Sequence, residues 1–121
     1  MIRILIADDH PIMREGLKQL FSETDDMAVT EEASDGAEVL EMMSKDSYDL
    51  VLLDISMPRK NGLEVLKELR TSDQHTPVII LSMHPEEQYA SRALRAGASA
   101  YITKERASEE LVSAVRQAYL K

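Results

Sequence analysis

Short apolar runs alternate with amphipathic stretches along the whole chain. Ile2 to Ala7 reads as a strand buried on both faces. Pro11 to Ser22 predicts a helix with Ile12, Leu17, Leu20 and Phe21 as its apolar members. Pro11 suits its first turn, where a missing N–H is no loss. Met27 to Ala33 is a weaker, alternating strand, and Asp35-Gly36 opens a second helix carrying Val39, Leu40 and Met43. Leu50-Val51-Leu52-Leu53 is the strongest strand signal and ends at Asp54. After Met57-Pro58, Asn61 and Glu64 stand at capping-box spacing for a third helix ending near Arg70. Val78 to Leu81 is a fourth strand, preceded by Pro77. Glu86 to Ala96 is a fourth helix, with Gly97 where a left-handed C-terminal residue is wanted. Ala100 to Thr103 makes a short fifth strand. Ser108 to Leu120 is the last helix, with Leu111, Val112, Val115 and Tyr119 on one stripe.

The order is strand then helix, repeated five times. Near-continuous apolar strands alternating with helices call for an α/β fold, a parallel sheet covered on both faces. Right-handed crossovers leave few topologies. The length of 121 residues and the 44% hydrophobic content suit one domain with a real core. No run approaches the roughly 20 apolar residues that span a bilayer. With no cysteine there is neither a disulfide nor a thiolate site, which fits a cytoplasmic location. The formal charge of −8 argues against this domain gripping nucleic acid by itself. It expresses either plain solubility or a concentrated acidic site.

The strand ends decide between those two. In an open α/β sheet, ligands bind beyond the carboxyl ends of the strands. The first strand delivers Asp8, Asp9 and His10 there, the third Asp54, the fourth Ser82, and the fifth Thr103 and Lys104. Carboxylates gathered on one rim repel and need a cation or a proton. Oxygen-only ligation favours a hard ion, and Mg²⁺ fits best, since it accepts one or two carboxylates plus a phosphate oxygen. Lys104 and Ser82 supply the charge and the hydroxyl that a phosphoryl group would require. Asp54 in that company is a workable nucleophile toward phosphorus.

Each residue alone has a plainer explanation. Asp9 reads first as an N-cap for the following helix, or as cap and ligand together. Ser82 reads as a turn residue, Lys104 as a solvated charge, and Tyr101 as a plain strand aromatic. His10, His75 and His84 are too scattered for a metal site, and His10 reads as a surface residue with the pocket rim in reach. The joint arrangement lifts the functional reading above these.

Asp8-Asp9, Asp54 within Leu52-Leu53-Asp54-Ile55-Ser56-Met57-Pro58, Asn61-Gly62, Ser82, and Lys104 after Tyr101 together resemble a two-component response-regulator receiver domain. Asp8-Asp9-His10-Pro11 and Tyr101-Ile102-Thr103-Lys104 further resemble the NarL/FixJ-type transcription regulators. The resemblance covers residues 1–121 and implies a flavodoxin-like (βα)5 fold, with the strands in the order 2-1-3-4-5. It implies phosphoryl transfer from a sensor histidine kinase to Asp54. It further implies Mg²⁺ held by Asp9, Asp54 and the Ser56 main-chain carbonyl, with Asp8 acting through water. Lys104 and Ser82 would bind phosphoryl oxygens, and Ser82 and Tyr101 would form the switch, Tyr101 swinging inward. Met83, bulky where the family often has a small residue, and its neighbour His84 are expected to govern access to the phosphoryl group. Glu105 after Lys104, in place of the proline of many receivers, gives no reason to assume a cis peptide there.

Such regulators carry a helix-turn-helix DNA-binding domain after the receiver, and they usually bind paired half-sites. A DNA-binding domain beyond Lys121 is therefore expected in the full-length protein, with a free-standing receiver as the alternative. A homodimer through the first and last helices, or through the fourth-helix and fifth-strand face, is expected with it. A haloacid-dehalogenase-type phosphohydrolase fits poorly, because its nucleophile follows the first strand in an Asp-x-Asp pattern. A nucleotide-binding module fits poorly because no Gly-rich loop follows that strand. A pseudo-receiver, keeping the fold as an interaction module, is opposed by the intact acidic set.

Overall fold

A computed structural model describes residues 1–57, 60–73 and 75–120. Pro58, part of the motif above, and Lys121 lie outside the described residues. The strands are β1 (Ile2–Ala7), β2 (Met27–Ala33), β3 (Leu50–Asp54), β4 (Val78–Ser82) and β5 (Ala100–Thr103). The helices are α1 (Pro11–Ser22), α2 (Gly36–Lys45), α3 (Gly62–Ser72), α4 (Glu86–Arg95) and α5 (Ala107–Leu120). All strand pairs are parallel, and the sheet order is β2-β1-β3-β4-β5.

The strand side chains explain why the sheet needs helices on both sides. Leu5, Ala7, Val51, Leu53, Val78 and Ile80 face the core under α2, α3 and α4. Their neighbours Ile4, Ile6, Leu50, Leu52, Ile79 and Leu81 face the opposite core, with Leu17, Phe21, Leu111 and Val115 from α1 and α5. Period-two alternation thus divides each central strand between two apolar layers. Each fully buried large side chain contributes about 1.5–3 kcal/mol of transfer free energy.

Local signals set most element boundaries. Asp35 caps α2 by accepting from Glu38 N–H, and Asn61 and Glu64 complete a reciprocal capping box on α3. Gly97 has φ 109°, in the region that glycine tolerates. Four readings need adjustment. Ile12 is 88% exposed rather than a member of the apolar face of α1, and Tyr119 is 46% exposed near the end of α5. The cap of α1 is His10, with no side-chain bond, so Asp9 is not the N-cap. The chain after β5 turns through a 3-10 segment, Lys104–Arg106, before α5 begins at Ala107.

The topology places chemistry at the sheet centre. From β1 the chain moves outward to β2 and then returns past β1 to β3. The carboxyl ends of β1 and β3 therefore border the crevice where the direction of winding reverses. Asp8 and Asp54 stand at those two ends.

Candidate functional site

Asp54 closes β3 with its side chain only 2% exposed, and Asp8 follows β1 at 1%. Between them lies the Lys104 ammonium, itself 8% exposed, 3.0 Å from Asp8 Oδ2 and 3.1 Å from Asp54 Oδ2. Lys104 donates a hydrogen bond to Asp54, whereas its approach to Asp8 is an ion pair without hydrogen-bond alignment. The plain reading of Lys104 as a solvated charge is thus corrected: the 3-10 turn after β5 folds its long stem back over the sheet edge. The peptide that follows it is trans, as none of the described residues has a cis bond.

His10 is exposed, as its reading as a surface residue has it, and it also reaches the rim of the pocket. Its side chain is 62% exposed, yet Nδ1 lies 3.1 Å from Asp8 Oδ1 and from Asp9 Oδ1, and 4.0 Å from Asp54 Oδ2. Its main-chain N–H donates to Asp8 Oδ1 at 2.8 Å. One ligand atom from each of Asp8, Asp9, His10 and Asp54 falls within a sphere of mutual distances under 4.8 Å. The available signal was local: a side chain two residues beyond an acid at a strand end is placed for an Asx-type turn.

The electrostatics are unbalanced. Three carboxylates face one ammonium and one partly exposed imidazole. Burial, and then the charge of Asp8, push the Asp54 carboxyl above its ordinary range, with Lys104 offsetting part of this. Burial works to lower the Lys104 ammonium, but Asp8 and Asp54 outweigh it and raise its pKa. Two buried oxygens, Asp8 Oδ2 and Asp9 Oδ1, accept no well-aligned hydrogen bond, although Lys104 Nζ lies 3.0 Å from the first and His10 Nδ1 3.1 Å from the second. Buried acceptors are normally satisfied. Their cluster, all hard oxygen apart from the His10 nitrogen, fits a divalent cation such as Mg²⁺.

On the flank, the buried Ser82 hydroxyl accepts the His84 main-chain N–H at 2.9 Å. The turn reading of Ser82 therefore holds. Tyr101 is buried, and its hydroxyl donates to the His84 carbonyl at 3.0 Å, so the ring stands in the inward position here. The His84 ring reaches the Ser56 hydroxyl at 3.5 Å and packs edge-on against Tyr89. Met83 is 78% exposed. The Ser56 N–H donates to Asp54 Oδ1 at 3.2 Å, which keeps the residue after next turned toward the acid. Gly62 packs so tightly on this loop that a Cβ would lie 2.5 Å from the Asp54 carbonyl oxygen.

One contributor escaped sequence reasoning altogether. Arg14, in the second turn of α1, donates to the Asp8 carbonyl at 2.6 Å and to Glu32 of β2 at 3.1 Å. A helical side chain leans back toward the helix N-terminus, so a cation at this spacing after the acidic pair was the usable clue.

Known proteins carry the same pattern. The model of the response regulator receiver domain matches residues 4–116. The nitrate/nitrite response regulator NarL of Escherichia coli is 40% identical over 115 residues, covering 95% of this chain and 53% of that protein. The uncharacterized transcriptional regulatory protein YxjL of Bacillus subtilis is 36% identical over 117 residues, covering 97% of this chain and 54% of that protein. The chain thus spans about half the length of these curated relatives. A LuxR-family two-component response regulator from Aurantimonas superposes with TM-score 0.94 at 34% identity, over 99% of this chain and 86% of that one. The receiver domain of a putative NarL from Mycobacterium tuberculosis superposes at 0.91 and 34% identity, over 98% and 96%. With strand order, acidic rim and sequence matching over nearly its full length, the chain belongs to the response regulator receiver domain family.

Proposed function

We propose that this chain is the phosphoacceptor switch of a two-component transcriptional regulator, and that Asp54 accepts a phosphoryl group from the phosphohistidine of a sensor histidine kinase. The observation that carries the reading is the buried pair of Asp54 and Lys104 beside two buried carboxylate oxygens that accept no well-aligned hydrogen bond. A buried nucleophile held beside an ammonium is prepared for an anionic phosphoryl electrophile rather than for packing.

Asp9, Asp54 and the Ser56 main-chain carbonyl would hold Mg²⁺ directly, with Asp8 acting through water. Bound there, Mg²⁺ supplies positive charge against the phosphoryl oxygens. The residues of the chain do the rest. An Asp54 carboxylate oxygen attacks phosphorus while the P–N bond of the phosphohistidine breaks. The donor imidazole leaves with that electron pair and takes up a proton. Lys104 exchanges Asp54 Oδ2 for a phosphoryl oxygen. Ser82 donates its hydroxyl proton to another while still accepting from His84 N–H, since a hydroxyl offers one donor and two acceptor sites. Through the His84 carbonyl, the loop before α4 and Tyr101 then follow Ser82. Met83 and His84 stand at the loop next to the acid and control access to it.

A helix-turn-helix DNA-binding domain following the receiver is part of the same proposal, supported by relatives about twice this length whose names describe transcriptional regulators. Exposed Ile12, Tyr119 and Leu120 favour the α1 and α5 surface for a homodimer. Among the described residues no helix is long and apolar enough to cross a membrane. The test is intact-mass measurement after incubation with Mg²⁺ and either acetyl phosphate or a phosphorylated kinase domain. The expected result is one phosphoryl increment on the wild type and none on Asp54→Asn. An increment that survives in Asp54→Asn would move the acceptor elsewhere. No increment from either donor would favour a pseudo-receiver.

A further inference from the structure

Asp9 is the weakest-anchored member of the acidic set. It lies between β1 and α1, outside both, and its Oδ1 is buried without a hydrogen-bond donor. Its place is set through the preceding peptide. The Asp8 N–H is tied to Ala33 of β2 at 3.1 Å, and the Asp8 carbonyl takes the Arg14 guanidinium at 2.6 Å. Because the peptide unit is planar, fixing that oxygen fixes the Cα of Asp9. Arg14 is in turn held at its other edge by Glu32 Oε1, 3.1 Å away, and Lys18 secures Glu32 Oε2 at 2.9 Å. The Arg14 side chain is only 19% exposed, and its guanidinium is held by its two acceptors. The fork geometry suits this bridging, which a single ammonium would not reproduce.

We propose that Arg14 is a positioning residue for the cation site: by clamping the Asp8–Asp9 peptide against Glu32 of β2, it aims the Asp9 carboxylate at the ion. This rests on the Mg²⁺ reading given above. The two roles available to Arg14 have opposite signs. As a mere positive charge near three carboxylates it would repel a divalent cation, and removing it would tighten binding. As a clamp it preorganises the ligand, and removing it weakens binding, as loss of an outer-shell partner does elsewhere by about 10–100-fold.

Calorimetric titration with MgCl₂ decides between them, alongside thermal melts in metal-free buffer that report folding independently. The expected result is affinity about 10-fold weaker in Arg14→Met than in wild type. Arg14→Lys, which keeps the charge and loses the fork, is expected to fall between the two. It also carries the comparison if the methionine variant does not fold. Affinity in Arg14→Met equal to or tighter than wild type, or in Arg14→Lys equal to wild type, overturns the inference while leaving the Mg²⁺ site standing. A wild type that binds no Mg²⁺ overturns the cation reading itself, and this inference with it.

Discussion

Lys104→Met is the most exacting test of the site's electrostatics. The ammonium lies 3.0 and 3.1 Å from two carboxylates that are 1% and 2% exposed. At an effective dielectric of about 20, one such contact is worth roughly 5 kcal/mol of Coulomb energy before the desolvation of its members is charged against it. Methionine keeps most of the stem volume, so cavity formation adds little. What remains is two buried carboxylates without their cation, and breaking a buried pair in this way costs about 3–5 kcal/mol. A domain of this size has roughly 5–15 kcal/mol in total. At about 4 °C per kcal/mol, the melting temperature should fall by about 12–20 °C. The pH dependence follows from two raised groups. The raised Lys104 contributes stability that is present below its ordinary pKa of 10.5 and is lost as pH rises through its folded value. The raised Asp54 favours the fold when protonated, and that contribution is lost as pH rises through its folded pKa. Without Lys104 the Asp54 carboxyl rises further, so the deficit should be largest at neutral pH and shrink toward acid as Asp54 gains a proton. Urea titrations of wild type, Lys104→Met, Asp54→Asn and the double variant, in metal-free buffer across that range, measure all of this. Asp54→Asn alone should be more stable than wild type at neutral pH, and the double variant should recover most of the loss. A Lys104→Met deficit below about 1 kcal/mol, the value of an exposed pair, or one that does not change with pH, refutes the reasoning.

Three further outcomes follow from the same geometry. Mg²⁺ at 100 times its dissociation constant should stabilise the wild type by about 2.7 kcal/mol, seen as a rise in melting temperature that Asp9→Asn abolishes. Gly62→Ala should shift the β3–α3 loop, because its Cβ would meet the Asp54 carbonyl oxygen at 2.5 Å and Ile55 Cα at 2.9 Å. A loss of about 1–3 kcal/mol, as for an overpacked core, is expected, and phosphoryl uptake per folded molecule should slow. A variant matching wild type in both respects contradicts the tight approach. Met83→Ala should let the acyl phosphate decay faster and accept small donors more readily, read by following intact mass after donor removal. Unchanged decay and uptake would leave access to His84 and Ser56.

The fold was legible because its strands carry apolar residues at every position from Leu50 to Leu53 and from Val78 to Leu81, which only a sheet covered on both faces can bury. The boundaries that were set locally, at Asp35 and Asn61, came out as the caps predict. Misplaced residues were those whose fate depends on distant chain. Ile12 sits in a helical pattern that its neighbours satisfy, yet nothing in the described fold covers it. The acidic rim was legible for the same reason as the sheet, since parallel strands deliver their ends to one side. The reach of His10 to the rim was legible, but neither the coverage of Lys104 nor the double contact of Arg14 was, because each depends on where a long side chain meets another element. The sequence spacing limits that choice without making it.

Ser82 links this site to the rest of the molecule. Moving a two-state equilibrium from mostly one state to mostly the other takes about 5.5 kcal/mol. In the proposed transfer, Lys104 exchanges one anionic partner, Asp54, for another, so its net gain is only a fraction of a charge-assisted hydrogen bond of about 1.5–3 kcal/mol. The Ser82 hydroxyl, in contrast, spends only an acceptor site on His84 N–H and has its proton to give. A new bond from it to a phosphoryl oxygen would add about 1.5–3 kcal/mol, less whatever its contact with the Tyr101 hydroxyl contributes. Neither residue alone reaches the required difference. Tyr101 donates to the His84 carbonyl at 3.0 Å while Ser82 accepts the His84 N–H at 2.9 Å, so the proposed phosphoryl contact of Ser82 would act on a residue bound at both of its main-chain groups.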